Sequence, residues 1–472
     1  MVTLYQKPLD HLLQDLKVTV HSSSMVIPCR EIERKSMFLS NIDQVLTFDV
    51  QTVHFFSAQK DFPPRVIAEK IRDTLGKILV DYDFLGGRLK LKAETGRLEI
   101  DCNGSGAGFV EATSGYCLDE IGDLVYPNPA FAQLACSSDL DTFKRPDDYP
   151  PLCILQVTSF KCGGFALGFT TNHVTFDGFS FKLFLQNLAA IAADKPLAVI
   201  PCHDRQLLAA RSPPRVVFPH PELLKLTTAN PSVFETTEED LVFEIFRLSS
   251  DDINSLKEKA KPPGGNSGGS VTSFKVVTAF IWRCKALSCD NATAERQSTV
   301  LYAVDIRRRL NPPLPESYAG NAVLSAYATE NCTVLEKGPF WKIVESVAEG
   351  AKRITDEYAR SAIDWGEVYK GFPQGDVLVS SWWKLGFDEV EYPWGKPRYS
   401  CPVVSHKKDI IVLFPDINHR GQDHDHDHHH HHHNRDAINV ENKNGNGVNI
   451  LVALPAMEME KFETFFRRFL FG

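Results

Sequence analysis

The sequence predicts a mixed α/β protein built from two domains, and three observations carry this prediction. Its 472 residues exceed what one hydrophobic core normally organises, so two domains of roughly 200 residues each are expected. Stretches with the periodicity of strands alternate with stretches of helical periodicity. Seven prolines interrupt this alternation within residues 195–231, and it begins again after them. We therefore predict domains at residues 1–200 and 232–472, joined by an extended crossover at 201–231.

The first half is predicted to contain strands, one helix and a glycine-rich turn. Alternating apolar and polar residues indicate strands at 17–24 and 42–56, the second of them half-buried. Residues 64–80 have apolar positions three and four apart and predict a helix. The sequence NGSGAG separates two further strands, at 97–102 and 108–113. A phosphate-binding glycine loop should lead from a strand into a helix, so we interpret this one as a hairpin turn.

The second half again alternates strands with helices, without a sequence repeat that would make the halves duplicates. The predicted strands are residues 241–248, 298–306, 410–417 and 448–455, and the predicted helices are residues 249–260 and 273–288.

A polar segment at 418–446 separates the last two predicted strands and contains the histidine-rich run 422–434. Its composition favours a disordered insertion within a hairpin. The alternative is metal capture by its histidines and aspartates, which would make the chain a metal-binding protein. We favour the insertion and predict no metal site, because a metal site needs a fixed geometry that a flexible homopolymer does not supply.

Composition and charge are those of an ordinary globular protein, with 43% apolar and 24% charged residues. The net charge of −9 provides no global positive field, so we expect no binding to nucleic acid or to an anionic membrane. No uncharged stretch reaches the length of a membrane span, and the amino terminus lacks the apolar core of a signal peptide. Eleven scattered cysteines without a C-x-x-C pair suit a reducing compartment. We therefore predict a cytoplasmic protein that does not insert into membranes.

The stretch TTNHVTFDGFSF, residues 170–181, holds the candidate catalytic residue. A strand pattern precedes it and a helical pattern follows it, which places His173 where a strand ends and a helix is about to begin. An imidazole there can face a cleft, and its ordinary pKa of about 6.5 lets it accept and return a proton near neutral pH. The alternative is a buried histidine with a structural role, since H-x-x-x-D occurs by chance in many sequences.

Four stretches resemble motifs of the plant BAHD acyltransferases, enzymes that move an acyl group from coenzyme A to an alcohol or amine. TTNHVTFDGFSF resembles the H-x-x-x-D-G box, and YPWGKP at 392–397 resembles the late D-F-G-W-G-K-P box. VDIRRRLNPPLPESYAGNAV is similar to the family segment with an arginine pair, a double proline and Gly-Asn. DRQLLAARSPPRVVFPHPE is similar to the family's crossover. That crossover and the sequence KCGGF resemble the clan of fatty alcohol and ω-hydroxy acid hydroxycinnamoyltransferases.

The resemblance implies two domains similar to chloramphenicol acetyltransferase, each a mixed sheet with helices, and a reaction channel at their interface. It implies that His173 is the general base of a direct transfer between two bound substrates, in a protein we expect to be a monomer. The family's oxyanion-stabilising positions fall on Ser380 and Trp382 in SSWWKL, and both side chains carry a donor proton. The alternative is that Trp382 is a core aromatic residue.

Asp177 allows two interpretations. In one, its carboxylate orients the imidazole of His173, as in a catalytic triad. The resemblance implies the other, in which the carboxylate turns away and pairs with Arg307 of the DIRRRL segment. We favour the ion pair, because a buried carboxylate needs a partner whichever role it has.

The late box departs from the family pattern, since Glu391, Tyr392 and Pro393 replace Asp, Phe and the first Gly. The positions that match are Trp394, Gly395, Lys396 and Pro397. In the family this box is regarded as a structural brace away from the reacting atoms. The departures therefore put the geometry of the brace in doubt, not the chemistry.

The coenzyme A phosphates need local donors, and Ser273, Lys275 and Arg309 are the candidates in the second half. The alternative is that these residues are an ordinary helix cap and solvated charges.

Family members that use shikimate or quinate carry an arginine upstream of S-S-W, where this chain has Glu367. That residue argues against a carboxylate acceptor, and it would suit a polyamine or face solvent. We favour solvent.

We therefore predict an acyl-CoA-dependent O-acyltransferase that needs no cofactor, with acyl-CoA as co-substrate. The expected donors are hydroxycinnamoyl, other aromatic or fatty acyl groups, and the expected partner is a small apolar alcohol. N-acylation of a polyamine is one alternative. A non-catalytic partner in lipid elongation, a role of some family members, is another, although a non-catalytic chain need not retain His173.

Overall fold

The structure is a computed structural model that describes residues 12–125, 128–139, 142–145, 149–226, 239–265, 271–290, 293, 295–403, 407–416 and 447–472. The histidine-rich insertion predicted at 418–446 lies outside these residues. No helix within the described ranges is both long and apolar enough to cross a bilayer.

The chain forms strands and α-helices in an irregular alternation. The strands are β1 Val18–Val26, β2 Lys35–Phe38, β3 Asp49–Phe56, β4 Arg88–Lys92, β5 Arg97–Cys102, β6 Ala107–Ser114, β7 Cys153–Ser159, β8 Phe165–Asn172, β9 Leu223–Lys225, β10 Val242–Leu248, β11 Gln297–Asp305, β12 Val323–Asn331, β13 Gly371–Pro373, β14 Val377–Ser381, β15 Tyr399–Pro402, β16 Ile410–Pro415 and β17 Val448–Leu454. The α-helices are α1 Pro64–Asp81, α2 Gly178–Ala192, α3 Ser250–Lys259, α4 Ser273–Ser288, α5 Cys332–Lys337, α6 Phe340–Arg353, α7 Asp356–Tyr369 and α8 Ala456–Phe471.

Strands of the first half form most of a six-stranded mixed sheet in the order β1-β6-β7-β8-β3-β15. β6 and β7 run parallel, and the other neighbours are antiparallel. β7 and β8 are buried along nearly their whole length, which agrees with their continuous apolar character. Helices α1 and α2 pack against each other, and their apolar faces join the sheet residues in one buried cluster.

The second half supplies another six-stranded mixed sheet, in the order β10-β17-β16-β14-β11-β12. β14 runs parallel to both β11 and β16, and the remaining pairs are antiparallel. Helix α4 is buried on nearly all sides and packs against α3, α5, α6 and α8. A helix that is apolar all round belongs in the interior, and α4 lies at the centre of the largest buried cluster.

Most predicted elements are present at the predicted places. The predicted helices are α1, α3 and α4, and the predicted strands 17–24, 241–248, 298–306, 410–417 and 448–455 are β1, β10, β11, β16 and β17. β16 and β17 pair as the predicted antiparallel hairpin.

Two local predictions were wrong. The strand expected at 42–56 covers only Asp49–Phe56, because Asp43–Val45 form a 3₁₀ turn. The NGSGAG segment does not close a hairpin, since β5 pairs with β2 and β4 whereas β6 lies between β1 and β7. Gly106 has a φ of +101°, and its amide donates to the carbonyl of Gly86 at 2.8 Å. The glycines therefore carry the chain from one sheet to another.

A segment of the second half lies in the first-half sheet, because β15 pairs with β3 at the sheet edge. The late box precedes this strand. In it the Tyr392 and Trp394 rings stack with centroids 5.2 Å apart. Both rings pack against Phe56 of β3, and both side chains are buried in the first-half core. The domain ranges 1–200 and 232–472 remain a prediction, and the late box and β15, which fall in the second range, pack against the first half.

Glu391 and Gly395 show how the late box keeps its packing although its sequence departs from the family pattern. Glu391 is exposed, so its extra methylene meets solvent. Gly395 has a φ of +104° in a tight turn closed by two backbone hydrogen bonds with Tyr392. Only glycine adopts that conformation without strain.

The brace generates a stability prediction for Trp394→Ala. Removing a buried tryptophan leaves a cavity, and we expect a loss of about 3–5 kcal/mol of unfolding free energy. Glu391→Ala is the matched control, since an exposed substitution should stay within about 0.5 kcal/mol. Thermal unfolding of both variants checks this, and equal midpoints would contradict the brace.

Candidate active site

His173 lies in the turn between β8, which ends at Asn172, and α2, which begins at Gly178. Its amide donates to the carbonyl of Phe48 at 2.8 Å, and the two rings meet edge to face with centroids 5.3 Å apart. Burial is the main influence on the imidazole and lowers the pKa of His173 below its ordinary value. The ring is therefore neutral at neutral pH and able to accept a proton.

Asp177 caps α2 and forms a buried ion pair with Arg307. Its carboxylate accepts from Nη1 of Arg307 at 2.9 Å and from Nη2 at 3.0 Å, and also from the amides of Ser180 and Ala322. Burial favours the neutral acid, but the guanidinium and the amide donors outweigh it and hold the pKa of Asp177 below its ordinary value. The pairing expected from the sequence is present.

A second buried ion pair, between Asp43 and Arg205, lies under the same turn and was not predicted. Nη1 of Arg205 donates to Asp43 Oδ2 at 3.0 Å and to the carbonyl of Val174 at 3.0 Å. Nη2 donates to the carbonyl of Thr175 at 2.8 Å. Arg205 belongs to the crossover, so this segment is a packed part of the site. Asp43 and Arg205 are 162 positions apart, and no motif connects them in the sequence.

Ser380 and Trp382 lie at the end of β14 and directly after it, and both are half-buried. The Trp382 amide donates to the carbonyl of Leu413 at 2.7 Å, and its ring packs against Phe387 at 5.7 Å. Among the described residues, neither the Ser380 hydroxyl nor the Trp382 indole N–H has a hydrogen-bond partner. The Trp382 ring packs against a buried cluster of the first half and against one of the second half, so it contacts both.

Gly178 explains how this segment approaches the histidine turn. A Cβ at position 178 would lie 2.7 Å from Leu385 Cδ2. The start of α2 and the segment that follows Trp382 are therefore in close contact. The glycine of the H-x-x-x-D-G box permits this approach.

The coenzyme candidates lie at two places in the second half. Ser273 begins α4, and Lys275 lies one turn into it beside the Thr272 cap. Arg309 has a different environment from the one expected, because it donates to the carbonyls of Ala351 and Ile354 at the end of α6. The Arg309 side chain thus caps the carboxyl end of α6. Coenzyme binding by Ser273, Lys275 and Arg309 remains a prediction.

Glu367 was expected to face solvent, and its side chain is 41% exposed, which confirms this expectation. Its Oε2 accepts from Nη1 of Arg97 and from Nδ2 of Asn41, each at 3.0 Å. The carboxylate therefore joins α7 to the first half. The carboxylate that would have bound a polyamine is thus already paired with Arg97 and Asn41.

No cluster of three or more His, Cys, Asp or Glu side chains arranged to hold a metal is found in the described ranges. The histidine run 422–434 lies outside them.

Comparisons with known proteins agree with this architecture. A family model described as "Transferase family" matches residues 16–468. The acyltransferase GLAUCE of Arabidopsis thaliana is 57% identical, with 99% of each chain covered. The omega-hydroxypalmitate O-feruloyl transferase of the same plant is 32% identical over 95% of this chain and 92% of its own. The solved structure of vinorine synthase superposes with a TM-score of 0.69 at 22% identity, covering 94% of this chain and 96% of that one.

The fold and the family match together define an acyltransferase with two domains similar to chloramphenicol acetyltransferase. The match over nearly the whole chain then gives the family. The chain belongs to the BAHD acyltransferases, the Transferase family of acyl-CoA-dependent enzymes.

Proposed function

We propose that the chain transfers a hydroxycinnamoyl, other aromatic or fatty acyl group from acyl-CoA to the hydroxyl group of an apolar alcohol. The observation that carries the proposal is the position of His173 on a turn fixed by two buried ion pairs, where burial lowers the pKa of its imidazole below the ordinary value. Ser380 and Trp382 lie on a segment packed against the same turn. A base and two hydrogen-bond donors are what thioester acyl transfer requires.

The reaction proceeds by direct attack with both substrates bound. The imidazole of His173 takes the proton of the acceptor hydroxyl as its oxygen bonds to the thioester carbonyl carbon. Ser380 and Trp382 donate to the oxyanion of the tetrahedral intermediate. The intermediate collapses by breaking the C–S bond, and the imidazolium returns its proton to the departing thiolate. The products are an ester and free coenzyme A.

Asp177 stabilises the turn and makes no hydrogen bond to the imidazole of His173 among the described residues. Its oxygens accept from Arg307, Ser180 and Ala322, which directs them away from the imidazole. This supports the ion-pair interpretation over a catalytic triad.

The substrate class is supported by the relatives and by the site. The relative at 32% identity is an omega-hydroxypalmitate O-feruloyl transferase, which points to an aromatic donor and a long-chain hydroxyl acceptor. The ring of Phe48 packs edge-on against His173 and offers an apolar wall beside the reacting atoms. N-acylation of a polyamine is less supported, because Glu367 is already paired with Arg97. Cytoplasmic location and a monomeric state stay predictions.

His173→Ala tests the base. We expect turnover to fall by about 10²–10⁴-fold with little change in thermal stability, because only the proton-transfer step is lost. Burial lowers the pKa of the wild-type imidazole, so the acid limb of its kcat/KM profile should have a midpoint below pH 6.5. Thiol release is measured for feruloyl, caffeoyl and palmitoyl-CoA crossed with fatty alcohols, monolignols, shikimate and spermidine.

His21→Ala is the control, since His21 is an exposed histidine of β1. Normal turnover by folded His173→Ala protein would refute the assignment of the base. Turnover with spermidine alone would favour N-acylation. No turnover of any pair by the wild-type chain would favour a non-catalytic partner.

Trp382→Phe tests the oxyanion contact. The substitution keeps an aromatic ring and removes the indole donor, so we expect kcat to fall by about 10²-fold with KM little changed. Trp383→Phe is the matched control, because Trp383 is a buried tryptophan of the second-half core. An unchanged kcat for Trp382→Phe would remove this residue from the oxyanion site.

A further inference from the structure

The turn between β7 and β8 and the segment after β6 place two cysteines beside each other, far from the histidine turn. The Lys161 amide donates to the carbonyl of Tyr116 at 3.0 Å. Each of these two residues directly precedes a cysteine, so this backbone contact brings Cys117 and Cys162 together. Cys162 is exposed and Cys117 is half-buried, so solvent reaches both side chains.

Both sulfur atoms lie at the start of the same 3₁₀ turn, Leu118–Ile121. The Sγ atom of Cys162 accepts from the Leu118 amide at 3.4 Å. The Sγ atom of Cys117 accepts from the Glu120 amide, two residues further along a turn that rises about 2 Å per residue. The two thiols are therefore neighbours. In agreement with this, burial, the Glu120 carboxylate and the Cys162 thiol together raise the pKa of Cys117.

The cysteine pair lies beside the place where the late box joins the first-half sheet. A Cβ on Gly164 would lie 3.0 Å from the carbonyl oxygen of Phe56, the residue of β3 that the brace packs against, and 3.4 Å from Cys162 Sγ. Arg398, which directly follows the late box, donates from Nη1 to Asp119 of the 3₁₀ turn at 2.8 Å. A covalent bond between the two thiols would therefore restrain the part of the first half that receives the brace.

We propose that Cys117 and Cys162 are a redox modification site, at which a peroxide forms a reversible disulfide that stabilises the fold. Hydrogen peroxide takes two electrons from the exposed thiol of Cys162, which becomes a sulfenic acid as one water leaves. The sulfur of Cys117 then attacks that sulfur, so the S–S bond forms, the S–O bond breaks and the thiol proton leaves in a second water. Two thiols and one peroxide thus give one disulfide and two waters. A dithiol reverses the reaction by thiol–disulfide exchange.

The disulfide acts on stability, because it closes a long loop and leaves the site alone. The bond would join residues 117 and 162, and such a cross-link restricts the unfolded chain more than the folded one. β8 leads from this turn to the histidine turn, and its eight residues, Phe165–Asn172, span about 26 Å. The modification therefore lies at the opposite end of β8 from His173.

Oxidation of the full-length reduced protein tests the site. The protein is treated with hydrogen peroxide at low concentration and digested, and linked peptides are identified by mass spectrometry. We expect a peptide pair joined through Cys117 and Cys162 that dithiothreitol separates. The midpoint of thermal unfolding should rise by about 5 °C on oxidation and return on reduction. A sulfinic acid at Cys162 without this link, a link between two copies of the chain, or a link that leaves the midpoint unchanged would overturn the proposal.

Cys117→Ser removes one thiol and keeps a side chain that accepts from the Glu120 amide, so we expect neither the link nor the rise in midpoint. Cys29→Ser is the matched control, because Cys29 is another exposed cysteine, and it should behave as the wild type does. An equal rise in oxidised Cys117→Ser protein would contradict the stabilising role of the pair. The peptide map of the wild type needs no variant to fold. None of these measurements uses turnover, so they stand apart from the proposed acyl transfer.

Discussion

The buried ion pair between Asp177 and Arg307 is the interaction on which the rest of the site depends. Both side chains are at most 3% exposed, and they join the start of α2 to the segment after β11. Taking two charges out of water is costly, and the cost is offset only where the geometry is good and the remaining donors and acceptors are satisfied. Nη2 of Arg307 also donates to the carbonyls of Tyr318 and Gly320 and Nη1 to Asp305 Oδ1, whereas Nε has no hydrogen-bond partner among the described residues. The histidine turn is therefore stable only when both halves of the chain have folded together.

The ion pair between Asp43 and Arg205 also restrains the backbone of the histidine turn. Three successive carbonyls, those of His173, Val174 and Thr175, accept from side chains of Asn321 and Arg205. Each donor comes from a segment distant in sequence. A strand-to-helix turn held at three successive carbonyls is restrained, which favours the preorganisation that acid–base catalysis needs. The aromatic brace around Trp394 adds a further connection between the second half and the first-half sheet.

The sequence predicted the local elements well because their causes are local. The helix over 273–288 follows from its apolar spacing and the strands around His173 from their apolar runs, and the Asp177–Arg307 pair follows from the family resemblance. What the sequence could not predict depends on contacts between distant segments. β15 joins a sheet of the other half, and β5 and β6 enter different sheets although only four residues, 103–106, separate them.

The catalytic roles assigned to the site residues stay predictions. His173, Ser380 and Trp382 are candidates from motifs. Arg205 lies in the stretch that resembles the family's crossover, but nothing in the sequence connects it to Asp43, and their pairing appears only when the chain folds. Arg309 was expected to bind coenzyme A, and Glu367 was expected to face solvent, as it does. The additional contacts of Arg309 with the end of α6 and of Glu367 with Arg97 could not be predicted, because spacing does not show which distant group a long charged side chain reaches.

A double-mutant cycle in unfolding free energy, with Asp177→Asn, Arg307→Gln and the double variant, tests the central claim most directly. Each single substitution should cost about 3–5 kcal/mol, because it leaves a buried group without its partner. The double variant should lose less than the sum by about 1–3 kcal/mol, since no lone charge then remains. Costs that add within about 0.5 kcal/mol would contradict the account, because the two residues would then stabilise the histidine turn independently.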